Sequence, residues 1–120
     1  MTTQNTESTT AWNALPGVVT TYLTAHRDRD VATAIAAFTA DAAVTDEGHT
    51  FAGREAIGTW LGGAGSEYTF TTEFTGATVT DATHVDVVQH LEGDFPGGVV
   101  DLHYRFTLVG DSISRLVIEP

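Results

Sequence analysis

The sequence predicts a single α+β domain, with helices in its first half and a long antiparallel sheet in its second half. Apolar residues in the first half recur every three or four positions, as on one face of an amphipathic helix. In the second half they alternate with polar residues, as in half-buried strands. A chain of 120 residues, 42% of them hydrophobic, supports one domain with a substantial core.

Three helices are predicted in the first half. The first begins near residue 13 or 14, because Pro16 fits only within a first helical turn, and it ends at Arg27–Arg29. Asp30 is a suitable N-cap for the second helix, and a pair of glycines ends the third. The second and third helices are predicted over Val31–Thr39 and Arg54–Leu61.

The predicted strands begin with a short hairpin and continue as four long strands. Short strands around Ala43–Asp46 and Thr50–Ala52 flank a turn. The four long strands are Glu67–Thr75, Thr83–Glu92, Val99–Val109 and Ser112–Ile118. Gly110-Asp111 joins the last two as a two-residue hairpin. A curved sheet over a few helices leaves a conical space, and small-molecule sites form in such spaces.

Composition excludes several classes of function. The chain has 16 acidic residues, five arginines, no lysine and no cysteine, for a formal charge of −11. Thiol nucleophiles, disulfides, sulfur-ligated zinc and Schiff-base chemistry are therefore excluded. The absence of a basic cluster argues against nucleic acid and against anionic membranes. We expect a cytoplasmic protein with no cofactor and no metal, in which residues 1–10 form a disordered tail before a single domain at residues 11–120.

Several motifs resemble the nuclear transport factor 2-like superfamily, and above all its SnoaL-like and ketosteroid isomerase-like branch. In the first half these are Phe38–Asp46, Gly53–Ile57 and Trp60. In the second half Gly93–Gly97, Leu102–Phe106 and Gly110-Asp111 are similar to small bacterial members. The resemblance implies a cone-shaped SnoaL-like domain, with a curved antiparallel sheet wrapped around three N-terminal-half helices. Because this superfamily includes isomerases, cyclases, dehydratases, epoxide hydrolases and non-enzymatic binders, the fold does not identify a reaction.

The resemblance implies roles for individual residues. Asp46 falls where ketosteroid isomerases have the carboxylate that shuttles a proton beside a carbonyl, and Tyr22 falls where they have a tyrosine that hydrogen-bonds the developing oxyanion. The third position, a protonated aspartic acid, falls on Leu102. A one-residue shift would place Asp101 or His103 there, but it would also turn the apolar face of the strand outward. We therefore expect half of that oxyanion hole to be absent.

The candidate site residues also have structural interpretations. Asp46 has the strand parity of Val44 and so points into the core, unless it only opens a polar turn. Tyr22 is either a ligand contact or a core aromatic, and His26 is interpreted as a group that pairs with local acids or with the helix end. The predicted ligand-binding residues are His49, Trp60, Tyr68, Phe70, Gln89, Leu102 and Tyr104.

Each of these ligand-binding candidates has an alternative. His49 is alternatively an exposed turn residue, and the aromatic side chains are first of all core residues. Gln89 lies on an apolar strand face, where its amide satisfies either the backbone or a ligand.

The sequence therefore predicts a domain that binds a small hydrophobic molecule, with cofactor-independent acid/base chemistry of isomerase, cyclase or dehydratase type at Asp46. The alternative is a non-catalytic ligand-binding or dimeric assembly module of the same fold, which Leu102 at the third position favours. By the resemblance, the outer sheet face around His90, His103 and Arg105 forms a homodimer contact. The other interpretation of that face is a metal site, but the spacing of its residues matches no recognised metal motif.

Overall fold

The computed structural model describes residues 10–63 and 69–120, and these ranges contain three α-helices and six β-strands. The helices are α1 (Gly17–Arg27), α2 (Val31–Ala36) and α3 (Arg54–Gly63). The strands are β1 (Phe38–Asp46), β2 (His49–Ala52), β3 (Phe70–Asp81), β4 (His84–Gly93), β5 (Val99–Val109) and β6 (Ser112–Glu119). Most of the predicted disordered tail (residues 1–9) and the candidate Tyr68 lie outside the described residues.

Helix α1 begins three to four residues later than the sequence predicts. A short 3-10 turn, Trp12–Ala14, comes first, and Pro16 is the N-cap of α1 instead of a residue of its first turn. Leu15 and Pro16 both have extended backbone, with ψ of 153° and 139°. A residue before proline is biased towards that conformation, so the helix cannot run back through it.

Helix α2 has the predicted N-cap but ends earlier than predicted. The Asp30 side chain accepts a hydrogen bond from the Thr33 N–H at 3.2 Å. The helix stops at Ala36 because β1 begins at Phe38, which pairs with Ile113 of β6. A tertiary pairing thus replaces the last predicted turn of helix.

The six strands form one sheet in the order β2-β1-β6-β5-β4-β3. The sheet is curved and does not close. Neighbouring strands are antiparallel except β1 and β6, which pair in parallel and depart from the predicted all-antiparallel sheet. Strand β3 also continues six residues beyond Thr75, because a register shift between Phe74 and Gly76 lets its pairing with β4 resume.

The helices pack on one face of the sheet and form a single hydrophobic core with it. On β5, Tyr104, Phe106 and Leu108 are buried and Leu102 packs against the same core, whereas Asp101 is exposed. The predicted alternation of this strand is therefore confirmed, in the register that turns Leu102 inward.

Helix α3 is tied to the beginning of β1 by a charged side chain. The Arg54 guanidinium donates two hydrogen bonds to the Phe38 carbonyl, at 3.1 and 2.6 Å. None of the helices in the described ranges has the length and apolar character that a membrane span needs.

Candidate functional site

Asp46 ends strand β1 on the core face of the sheet. It has the parity of Val44, which is fully buried, and its own side chain is half-buried. The Trp60 Nε1–H of α3 donates a hydrogen bond to Asp46 Oδ2 at 3.0 Å. Burial raises the pKa of Asp46, and the charge of Glu47 adds to that rise. The Trp60 hydrogen bond and the charge of His49 oppose it. A carboxyl with a raised pKa at the edge of an apolar core is suited to acid/base chemistry.

Tyr22 lies on α1 and is fully buried. Within the described residues its hydroxyl has no hydrogen-bond partner. Burial, followed by the neighbouring Tyr104 and Asp46, raises the pKa of Tyr22 well above its ordinary value, so the group stays protonated. Buried hydroxyls are nearly always paired in folded proteins. The Tyr22 hydroxyl is therefore an exception among the buried polar groups of the described residues, and the charge of the Asp46 carboxyl acts on it.

Gln89 and Tyr104 lie on neighbouring strands, and both side chains are buried. The pKa of Tyr104 is raised to about 12, chiefly by burial; the Gln89 side chain opposes this rise and the Asp46 charge adds to it. Gln89 is thus on the core face of β4, as its place on an apolar strand face predicts.

Stacked rings connect α1 to α3. The His26 ring lies between Tyr22 and Trp60, with ring centroids 5.7 Å away on both sides and interplanar angles of 9° and 14°. Phe51 of β2 also stacks on Trp60, with ring centroids 6.1 Å apart and an interplanar angle of 30°. Burial, and after it the charge of Arg29, lowers the pKa of His26. His26 is therefore a neutral member of the site and not a helix-end cation. In the sequence, the spacing of four residues between Tyr22 and His26 is the signal that both side chains lie on the same face of α1.

A cavity of about 310 Å³ adjoins these groups. It lies between the α1–α2 corner, the end of α3 and strands β3 and β5. Its polar wall includes His26, Arg29, Asp30 and Tyr104, and its apolar wall includes Val31, Ala34, Leu61 and Phe70. Phe70 and Tyr104 are thus predicted ligand-binding residues that line the cavity. Asp46 and Tyr22 do not line the cavity. Tyr22 stacks on His26, which lines the cavity, and the charge of Asp46 acts on Tyr104, which also lines it.

The other predicted ligand-binding residues have different positions. Trp60 is buried beside Asp46, and Leu102 is half-buried directly opposite Gln89. His49 is exposed and faces Asp46 across the β1–β2 hairpin, so it acts on the carboxyl through its charge. Glu47 and Gly48, the two turn residues of this hairpin, have φ of 54° and 80°. These are the positive angles of a tight hairpin turn.

Ion pairs cover the outer face of the sheet. His90 bonds Asp101 at 2.6 Å and Glu92 at 2.9 Å, and these contacts raise the pKa of His90. Asp86 pairs with His103 at 3.0 Å. On the same face, Arg105 pairs with Asp86 and with Glu119. Across the described ranges, no group of three or more His, Asp or Glu side chains is arranged to hold a metal ion.

Comparison with known proteins identifies the family. No protein-family model and no curated protein matches the chain. Among solved structures, a polyketide cyclase-like protein from Sinorhizobium meliloti is 34% identical, with a TM-score of 0.82, over 88% of this chain and 95% of that one. The chain belongs to the nuclear transport factor 2-like superfamily. Within it, the SnoaL-like and ketosteroid isomerase-like branch is the match, as the sequence motifs predict.

More distant members of the nuclear transport factor 2-like superfamily share the fold alone. A protein of ketosteroid isomerase-like fold from Catenulispora acidiphila, solved with trimethylamine, is 21% identical over 88% of this chain and 85% of that one, with a TM-score of 0.76. A Mycobacterium tuberculosis protein, solved with estradiol-17β-hemisuccinate, is 13% identical over 86% and 88%, with a TM-score of 0.72.

Proposed function

We propose that this protein binds a small hydrophobic molecule and performs cofactor-independent acid/base chemistry on it, of isomerase, cyclase or dehydratase type. The observation that carries the proposal is the buried hydroxyl of Tyr22, which has no hydrogen-bond partner among the described residues and is close enough to Asp46 for the carboxyl charge to act on it. An adjoining cavity of about 310 Å³ supports it, because this volume is within the range of small-molecule sites. Relatives of the same fold solved with a steroid ester and with trimethylamine add support.

In this mechanism Asp46 is the base and Tyr22 is the electrophilic donor. The carboxylate removes a proton from a carbon next to a carbonyl, and the electrons of that C–H bond move onto the carbonyl oxygen. The Tyr22 O–H donates a hydrogen bond to that oxygen and keeps its own proton. Asp46 then returns the proton to another carbon, or the enolate expels a leaving group. The Trp60 N–H orients the carboxylate throughout.

The test separates binding from turnover. Binding is measured by thermal shift and calorimetry with 2-naphthol and estradiol, and proton transfer by isomerisation of the β,γ-unsaturated ketone 5-androstene-3,17-dione. We expect Asp46→Asn to lower turnover by about 10²–10⁴-fold, the usual contribution of a general base, while affinity stays within about threefold. Asp111→Asn, in the exposed β5–β6 turn, is the matched control and should leave both unchanged.

Two results would count against the proposal. If neither 2-naphthol nor estradiol binds, the ligand-binding function is wrong. If the probes bind, but neither isomerisation nor exchange of ketone α-protons with deuterated water depends on Asp46, the protein is the non-catalytic binding module instead.

We further propose that the protein is a cytoplasmic homodimer joined through the outer sheet face. Support comes from the mixture of charges there, since the basic His103 and Arg105 lie beside the acidic Asp86 and Glu119 and so offer both signs to a second copy. Sedimentation equilibrium should give twice the monomer mass, and Arg105→Glu should shift the protein towards monomer. A wild-type monomer at micromolar concentration would overturn this part alone.

A further inference from the structure

The cavity at the α1–α2 corner is charged at its outer end and apolar at its inner end. Arg27 and Arg29, which line it, are exposed. Ala34 and Leu61, which also line it, are buried. A molecule that fits both ends has an apolar body and a charged or strongly polar head.

Arginine is scarce in this chain, so its position at the cavity is informative. The chain has five arginines, no lysine and a formal charge of −11, and two of the five arginines, Arg27 and Arg29, line this cavity. The net charge repels an anion from most of the surface, whereas these guanidinium groups attract one locally. The planar fork of a guanidinium matches the two oxygens of a carboxylate.

The acidic side chains closest in sequence to these arginines already have partners. Asp30, the one carboxylate among the described residues of the cavity wall, accepts a hydrogen bond from the Thr33 N–H at 3.2 Å and caps α2. Asp28 lies outside that wall and pairs with Arg27 Nε at 3.1 Å, with both side chains more than half exposed. Such an exposed pair contributes little energy and occupies one of the five guanidinium N–H groups. Arg27 therefore keeps donors for a ligand.

Arg29 has a backbone conformation that favours glycine. Helix α1 ends in a Schellman motif, in which the Asp30 N–H donates to the Ala25 carbonyl at 2.8 Å and the Arg29 N–H to the His26 carbonyl at 3.2 Å. Arg29 is the residue of this motif with positive φ, 58°. A Cβ is unfavourable there. An arginine at this position costs stability, which is typical of residues that serve a binding site.

We propose that the ligand is a hydrophobic carboxylate, with its carboxylate bound by Arg29 and Arg27 at the outer end of the cavity. Its apolar body packs against Leu61 and Phe70 farther in. This inference rests on the proposed function, since it names the class of molecule that the proposed site takes.

The test compares three probes that share one ring system and differ in the charge of the head. They are 2-naphthoate, the neutral 2-naphthamide and the cationic 2-naphthylmethylammonium, each titrated calorimetrically at pH 7 and low ionic strength. We expect 2-naphthoate to bind about tenfold more tightly than 2-naphthamide, the effect of one charge-assisted hydrogen bond, and the cation to bind most weakly. The preference for the anion should shrink as salt is added, because the arginines are exposed.

Arg29→Gly is the decisive variant, because it removes the guanidinium and suits the positive φ. It should lose most of the preference for 2-naphthoate and melt at a higher temperature than the wild type. Arg27→Gln should lose less of the preference, since Arg27 also pairs with Asp28. Arg115→Gln is the matched control. It removes the same charge from an exposed position on β6 outside the cavity wall, and it should keep the full preference.

Three results would overturn the inference alone. The first is equal affinity of the wild type for 2-naphthoate and 2-naphthamide. The second is an Arg29→Gly protein that melts at a lower temperature and keeps the full preference, which would make Arg29 a structural residue. The third is tightest binding of the cation, which would make Asp30 the group that recognises the head. If none of these probes binds, and 2-naphthol and estradiol do not bind either, the proposed function fails together with the inference.

Discussion

The indole Nε1–H of Trp60 donates a hydrogen bond to Oδ2 of Asp46, with 3.0 Å between the two atoms. This contact joins helix α3 to the end of β1. The same indole ring stacks on His26, which in turn stacks on Tyr22. The candidate base and the candidate oxyanion donor are therefore linked through a row of rings from α1 and α3.

Trp60→Phe tests this link directly. The variant keeps a ring for stacking but removes the donor, while the burial that raises the pKa of Asp46 stays. We expect the pKa of Asp46 to rise further, and the free energy of unfolding to fall by about 1 kcal/mol for the lost hydrogen bond. Carbon-13 NMR of the Asp carboxyls measures the first, and urea denaturation the second. An unchanged Asp46 titration would contradict the orienting role of Trp60. Trp12→Phe, in the N-terminal turn, is the control.

The stability contributed by Asp46 should decrease as pH rises. Burial holds its folded pKa above the unfolded value of 3.8, so between these two values the folded state binds more protons than the unfolded state. The free energy of unfolding therefore falls through that window and stays lower above it. Asp46→Asn removes this loss and can still accept from Trp60.

Calorimetric melting temperatures, compared between Asp46→Asn and the wild type across pH, measure that effect. The variant should melt at a higher temperature at pH 7, and the difference should shrink as pH falls towards 3.8. A variant that is less stable than the wild type at neutral pH would show that the charged carboxylate is favoured in the folded protein.

Tyr22→Phe should stabilise the protein while it weakens ligand binding. The hydroxyl is buried and has no partner in the described part of the chain, so its removal relieves a desolvation penalty of about 1 kcal/mol or more. Urea denaturation and the affinity for 2-naphthol measure the two effects. Tyr104→Phe is the contrasting variant, because Tyr104 lines the cavity and its hydroxyl is not among the buried polar atoms that lack a partner in the described residues. A destabilised Tyr22→Phe protein would mean that the hydroxyl is satisfied in solution.

Gly93→Ala should destabilise the sheet near the cavity. A Cβ at position 93 would lie 2.4 Å from the Thr69 carbonyl oxygen and 2.5 Å from the Phe70 Cβ, so the backbone of β3 would have to move. We expect a loss of about 1–3 kcal/mol in the free energy of unfolding. Gly17→Ala, at the start of α1 with nothing within 4 Å, is the control and should cost nothing. Equal stability of the two variants would contradict the close approach of β3 and β4.

Some of the candidate site follows from short-range patterns in the sequence. The parity of Val44 and Asp46 places the carboxyl on the core face, and the alternation along β5 places Leu102 and Tyr104 inward. The N-cap at Asp30 also follows from the sequence, because its side chain accepts a hydrogen bond from a residue only three positions ahead. Each of these features depends on neighbours within a few positions.

The sequence alone thus determined the α+β class, the inward face of each main strand, and the place of Asp46 on the core side of β1. Only the tertiary structure decided the parallel pairing of β1 with β6 and the position of a neutral His26 between Tyr22 and Trp60. These contacts join residues that are far apart in the chain or pair across strands. Their partners are selected by packing and register, which no local pattern of residues encodes.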